Sequence, residues 1–77
     1  MRFTLDREAD AVFLYLVDEI EPGSANRSSI VTLPFQGASV IAVLDADGRA
    51  LGLEFIPASA MFTGKMLMAM EEYQSGY

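Results

Sequence analysis

Six carboxylates fall where they could act together: Asp6, Glu8 and Asp10 in the run Asp6-Arg-Glu-Ala-Asp10, then Asp45 and Asp47 in one turn, with Glu54 shortly after. Oxygen donors at such spacing suit a hard divalent cation such as magnesium, provided the first turn folds beside the second. The candidate acidic cluster is therefore Asp6, Asp10, Asp45, Asp47 and Glu54. Other chemistry is narrowed by what is missing. The chain has no histidine and no cysteine, so it lacks the usual general base near neutral pH, the strong thiolate nucleophile and the common zinc ligands. No serine stands in a nucleophile elbow.

Each acidic group also has a plainer reading. Arg7 and Arg49 lie in the same turns and can pair with those carboxylates at the surface, where such pairs are nearly neutral in energy. Asp45-x-Asp47-Gly48 departs from a calcium-binding loop, which needs glycine sixth and a glutamate last; here glycine comes fourth and Arg49 takes a ligand's place. Glu54 is the one charge inside an apolar strand: it pairs with a cation such as Arg49, lies at a solvated edge or lines a ligand pocket, and a structural role is favoured because an isolated buried charge is costly. Accordingly, no catalytic, cofactor-binding or metal-ligating residue is assigned, and no cofactor is expected.

The elements that would position these groups are readable. Val40–Leu44, the turn Asp45-Ala-Asp-Gly48 and the run to Ile56 form a β-hairpin. Asp45 can accept from turn N–H groups and Gly48 tolerates positive φ, as in a type I turn closed by a glycine bulge. The expected register sets Val43 opposite Leu51 and Ile41 opposite Leu53, with Phe55 on the same, core-facing side. Val40, Ala42, Leu44, Gly52, Glu54 and Ile56 then share a smoother second face. Phe3–Leu5 and Ala11–Val17 read as strands, Asp18–Ser29 as a loop, Ser29–Leu33 as a strand ended by Pro34, and Phe35-Gln36-Gly37 as a turn. Ser59 is the expected helix cap, followed by helix from Ala60 to about Tyr73, weakened at Thr63-Gly64. Phe62, Met66, Ala69, Met70 and Tyr73 form its core stripe, and Gln74–Tyr77 should fray. The fold class is α+β: an antiparallel sheet of four to five strands packed with one C-terminal helix, a single small domain over 1–77.

Composition sets the partners. Of the 77 residues, 52% are apolar, a large share for a domain too small to bury much surface. With disulfides and zinc removed, self-association is the expected support, as a homodimer or higher homo-oligomer. The candidate surface is Val40, Ala42, Leu44 and Ile56 on the sheet with Met61, Leu67 and Met68 on the helix. A net charge of −6 with five scattered cations disfavours nucleic acid and anionic membranes. No run is long enough for a membrane span, and the acidic N-terminal residues do not suit a signal peptide. A cytoplasmic location is expected.

Two stretches together resemble the YuzE-like family of small bacterial proteins. One is Asp6-x-Glu8-Ala9-Asp10-Ala11 leading into an aromatic-containing strand. The other is Asp45-x-Asp47-Gly48-Arg49-x-Leu51-Gly52-Leu53-Glu54-Phe55-Ile56 followed by Ala58-Ser59. The resemblance spans roughly residues 3–17 and 40–60. The chain departs from it in the longer segment Asp18–Ser39, and in Val43, where members often carry an acid; the latter argues against a shared acidic metal site. The resemblance implies a compact antiparallel sheet with a helix and no assigned activity. The functional expectation is a small cytoplasmic binding or accessory protein that self-associates. The alternatives are a carboxylate-based, metal-dependent enzyme or small-ligand site, and an antitoxin-like protein whose partner covers the sheet.

Overall fold

The computed structural model describes residues 2–32 and 37–75. Five strands, β1 (Arg2–Asp6), β2 (Ala11–Tyr15), β3 (Arg27–Thr32), β4 (Ser39–Leu44) and β5 (Ala50–Ile56), are followed by helices α1 (Ala58–Met61) and α2 (Gly64–Ser75). The strands form one antiparallel sheet in the order β1-β2-β5-β4-β3. The expected α+β class is the one observed. β5, the second strand of the hairpin, lies at the centre.

The hairpin turn matches its reading. Gly48 has φ 84°, its N–H donates to the Asp45 carbonyl at 3.0 Å, and the Asp45 N–H donates to the Arg49 carbonyl at 2.9 Å. The register beyond it is corrected by one residue. Leu44 pairs with Ala50, but the next pair is Val43 with Gly52, followed by Ala42 with Leu53, Ile41 with Glu54 and Val40 with Phe55. Leu51 is the extra residue of a bulge. Because side chains alternate along a strand, a slip of one exchanges the faces of one strand relative to the other. Val40, Ala42 and Leu44 thus share the side of Leu53 and Phe55. Ile41 and Val43 share the side of Gly52, Glu54 and Ile56.

The helices lie on the first of these sides. The core is Leu5, Val12, Ala58 and Leu67, with Phe3, Phe55, Phe62 and Met70 packed against it. Phe55 and Phe62 meet edge to face at 5.3 Å, and Phe3 and Tyr73 stack at 5.1 Å. Both separations lie in the favourable range for ring pairs. The expected helix starts earlier and is broken: α1 ends at Met61, and Phe62 is extended. Breaking the chain there turns α2. Leu67, expected on the outer surface, becomes the buried residue at 6% exposure, while Met66, expected in the core stripe, is 47% exposed. Ala69 is exposed as well, and Tyr73, 46% exposed, stacks on Phe3. Leu67 therefore leaves the candidate association surface.

Other boundaries shift modestly. β2 ends at Tyr15 rather than Val17, and β3 begins at Arg27 rather than Ser29. The helix runs through Ser75, past the Gln74 at which fraying is expected. The readings at Leu33, Pro34, Phe35, Gln36, Gly76 and Tyr77 lie outside the described residues. Ile56-Pro57 is a cis peptide.

Candidate functional site

The acidic residues divide between the two ends of the sheet. Asp6 and Asp10 flank the β1–β2 turn, next to the end of β5 that leads into α1. Asp45 and Asp47 lie in the hairpin turn at the start of β5. The seven residues of β5 separate the two turns by roughly 20 Å, at about 3.3 Å per residue. Among the described residues no group of three acidic side chains is placed to hold a metal ion. The five candidates therefore form no single cluster.

Each end has its own use for its carboxylates. At the hairpin, Asp45 Oδ1 accepts from the N–H groups of Asp47 and Arg49, both at 2.9 Å. Arg49 donates from Nε to Asp45 at 3.2 Å and from Nη2 to Asp47 at 2.8 Å. The Asp45 carboxyl is held below its ordinary value, chiefly by the Arg49 N–H and further by the Asp47 N–H and the Arg49 charge, against an opposing desolvation. Charge-assisted bonds of this kind favour the ionised form.

At the other end, Asp6 Oδ1 accepts from the Ala9 N–H at 3.0 Å, and Asp10 takes a positive φ of 52°. That conformation aims Asp10 at α1. Its carbonyl accepts from the Ala58 N–H at 2.7 Å and its Oδ1 from the Ser59 N–H at 2.9 Å. The Ser59 hydroxyl donates to Asp10 Oδ2. This corrects the expected role of Ser59. Pro57 occupies the cap position and has no side-chain oxygen to offer, so a carboxylate distant in sequence satisfies an N–H group that a helix start leaves open. Arg7 also departs from expectation: it pairs with Glu71 of α2 at 2.5 Å rather than with its own turn.

Glu54 stands apart. On the central strand, with Phe13 across from it on β2 and Ile41 on β4, its carboxylate makes no hydrogen bond or ion pair among the described residues. Arg49, the cation considered for it, is engaged by Asp45 and Asp47. Around Glu54 spreads the side of the sheet that faces away from both helices. Alternation places Phe13, Tyr15, Ile41, Val43 and Ile56 there, all half-buried, together with Ile30 at 64% exposure. The Phe13 ring lies over Gly52, and Tyr15 leans on Phe13 at 4.7 Å. The Arg2 guanidinium sits 3.7 Å above the Tyr15 ring, a cation–π contact at the margin of the face.

The helix side is also partly bare. The substantial helix contacts among the described residues are with β1 and β5, which leaves Val40, Ala42 and Leu44 of β4 half-exposed beside the helices. Met61 is half-buried and Met68 is 61% exposed. The expected association surface thus divides into three: Val40, Ala42 and Leu44 on the helix side, Ile56 on the open face, and Met68 on the outer side of α2. A small apolar hollow of about 140 Å³, lined by Phe3, Val12, Leu14, Phe55, Phe62 and Met70, opens between sheet and helices. It has no polar group to orient a ligand, which is the usual mark of a specific site.

Among the described residues no helix is long and apolar enough to cross a membrane. No family model, no curated protein and no solved structure matches the chain.

Proposed function

We propose that this chain is a small cytoplasmic, homo-oligomeric binding or accessory protein, akin to the YuzE-like family that its two acidic turns resemble. One observation carries the reading: a five-stranded sheet rich in apolar residues has helices against one side only. Soluble monomers seldom leave a contiguous apolar patch of more than a few hundred Å² in water. Asp6, Asp10, Asp45 and Asp47 serve turns and a helix start, which supports a binding role over carboxylate chemistry. The cytoplasmic assignment rests on the acidic charge and the absence of cysteine.

Sedimentation equilibrium from low micromolar concentration upward tests the reading. The expected species has at least twice the chain mass of 8.4 kDa. A single species at one chain mass throughout would remove the basis for the proposal.

A further inference from the structure

We infer that the open face of the sheet is the contact between two copies of this chain, packed sheet on sheet with Glu54 enclosed. The inference rests on the homo-oligomeric reading and assigns it one surface. Three observations favour a second copy on this side.

The first is area. The molecule is a slab of 36 × 34 × 18 Å. Its broad side, taken as a rectangle, is on the order of 1,200 Å², of which five strands about 4.8 Å apart and roughly 20 Å long cover on the order of 500 Å². A standard interface, roughly 800 Å² from each partner, takes that sheet and part of the loops around it. The bare strip on the helix side is much smaller: two strands about 4.8 Å apart and roughly 20 Å long cover on the order of 200 Å². The outer surface of α2 is interrupted by Lys65, Glu71 and Glu72, all exposed.

The second is relief and chemistry. Because Phe13 fills the notch at Gly52, the middle of the face presents a ring instead of a gap, and two such faces can approach to the ~10 Å spacing of packed sheets. Apart from Glu54, apolar side chains and Gly52 occupy the middle strands. Arg2 on the edge strand β1, Ser28 on the edge strand β3 and Ser39 at the start of β4 lie at the margin, where polar groups stay wet.

The third is symmetry. A two-fold axis through the face lets one surface satisfy itself, the commonest closed arrangement for identical chains.

Glu54 limits the strength of this contact. Its carboxylate sits on the central strand without a partner among the described residues, so association must dehydrate its charge, and two chains of net charge −6 also repel. The carboxylate therefore opposes dimerisation, and neutralising it should strengthen the contact.

Sedimentation equilibrium of the full chain and its variants tests this. Ile41→Asp and Ile30→Asp should each weaken dimerisation by roughly tenfold or more, the equivalent of losing one anchoring contact. Glu54→Gln should tighten it, and Met68→Asp should leave it unchanged. Circular dichroism checks folding; Ile30 is already exposed in the single chain, so Ile30→Asp reports even if Ile41→Asp fails to fold. A dimer indifferent to Ile30→Asp and to any folded Ile41→Asp, or broken by Met68→Asp, places the contact elsewhere and overturns this inference while self-association stands. Unchanged or weaker association of Glu54→Gln overturns the role given to that carboxylate. A wild-type chain that stays monomeric overturns both readings.

Discussion

Gly48 closes the hairpin at φ 84° with open space where a Cβ would stand, so an alanine there meets a conformational cost and no clash. Gly48→Ala should lose about 1 kcal/mol in urea unfolding, since a side chain disfavours that region. Gly52 differs in kind. A Cβ on it would lie 2.5 Å from Cε1 of Phe13 and 2.9 Å from the Leu14 carbonyl oxygen, well inside contact distance. Gly52→Ala should cost about 1–3 kcal/mol through overpacking. Placing it in a Phe13→Ala background should recover part of that loss, leaving the share due to the backbone contact. Full additivity of the two substitutions would show that the ring is not the obstacle.

At the scale of elements, the ends of the sheet are tied to the helices by side chains distant in sequence. The Leu5 N–H, on the edge strand β1, donates to Gln74 Oε1 at 2.6 Å, and Gln74 Nε2 reaches the Leu5 carbonyl at 3.5 Å. An edge strand offers unpaired backbone groups to any passing strand, and α2 supplies an amide that satisfies one residue of this edge. Gln74→Ala should cost about 1 kcal/mol, the net worth of such a bond. The Leu5 amide should also exchange faster with solvent; unchanged exchange would place its protection elsewhere. Asp10 ties the β1–β2 turn to α1. Asp10→Ala removes the acceptor for Ser59 and puts a less tolerant residue at φ 52°. A loss of about 2 kcal/mol is expected in denaturant unfolding, with Asp10→Asn milder, because Asn keeps an acceptor and tolerates positive φ.

For the whole molecule, the decisive feature is that the helices cover one side of the sheet while the two acidic turns stand at its opposite ends. A separation of roughly 20 Å along β5 leaves Asp6 and Asp10 too far from Asp45 and Asp47 to share an ion. Thermal melts in millimolar magnesium or calcium should therefore superimpose on melts with chelator, because a ligand selective for the native state raises the midpoint by mass action. A rise of several degrees that vanishes in Asp45→Asn or Asp10→Asn would revive a metal site at one end. The same geometry leaves the open side as the surface proposed for self-association.

What the sequence determined by itself was local. Asp45 and Gly48 define their turn through hydrogen bonds and φ preferences contained within five residues, and the apolar runs define strands through composition. The α+β class follows from their order. The tertiary structure decided what depends on packing between distant segments. The Leu51 bulge shifts the register by one and so exchanges faces, and no turn chemistry announces it. The break at Phe62-Thr63 rotates α2 until Leu67 points inward, although Leu67 and Met66 are equally apolar as letters. Asp10 as a helix cap and Gln74 as an edge cap arise from partners 49 and 69 positions away, beyond the reach of any local pattern. The acids were visible as residues; their separation was not, because only strand direction sets one turn at each end of β5.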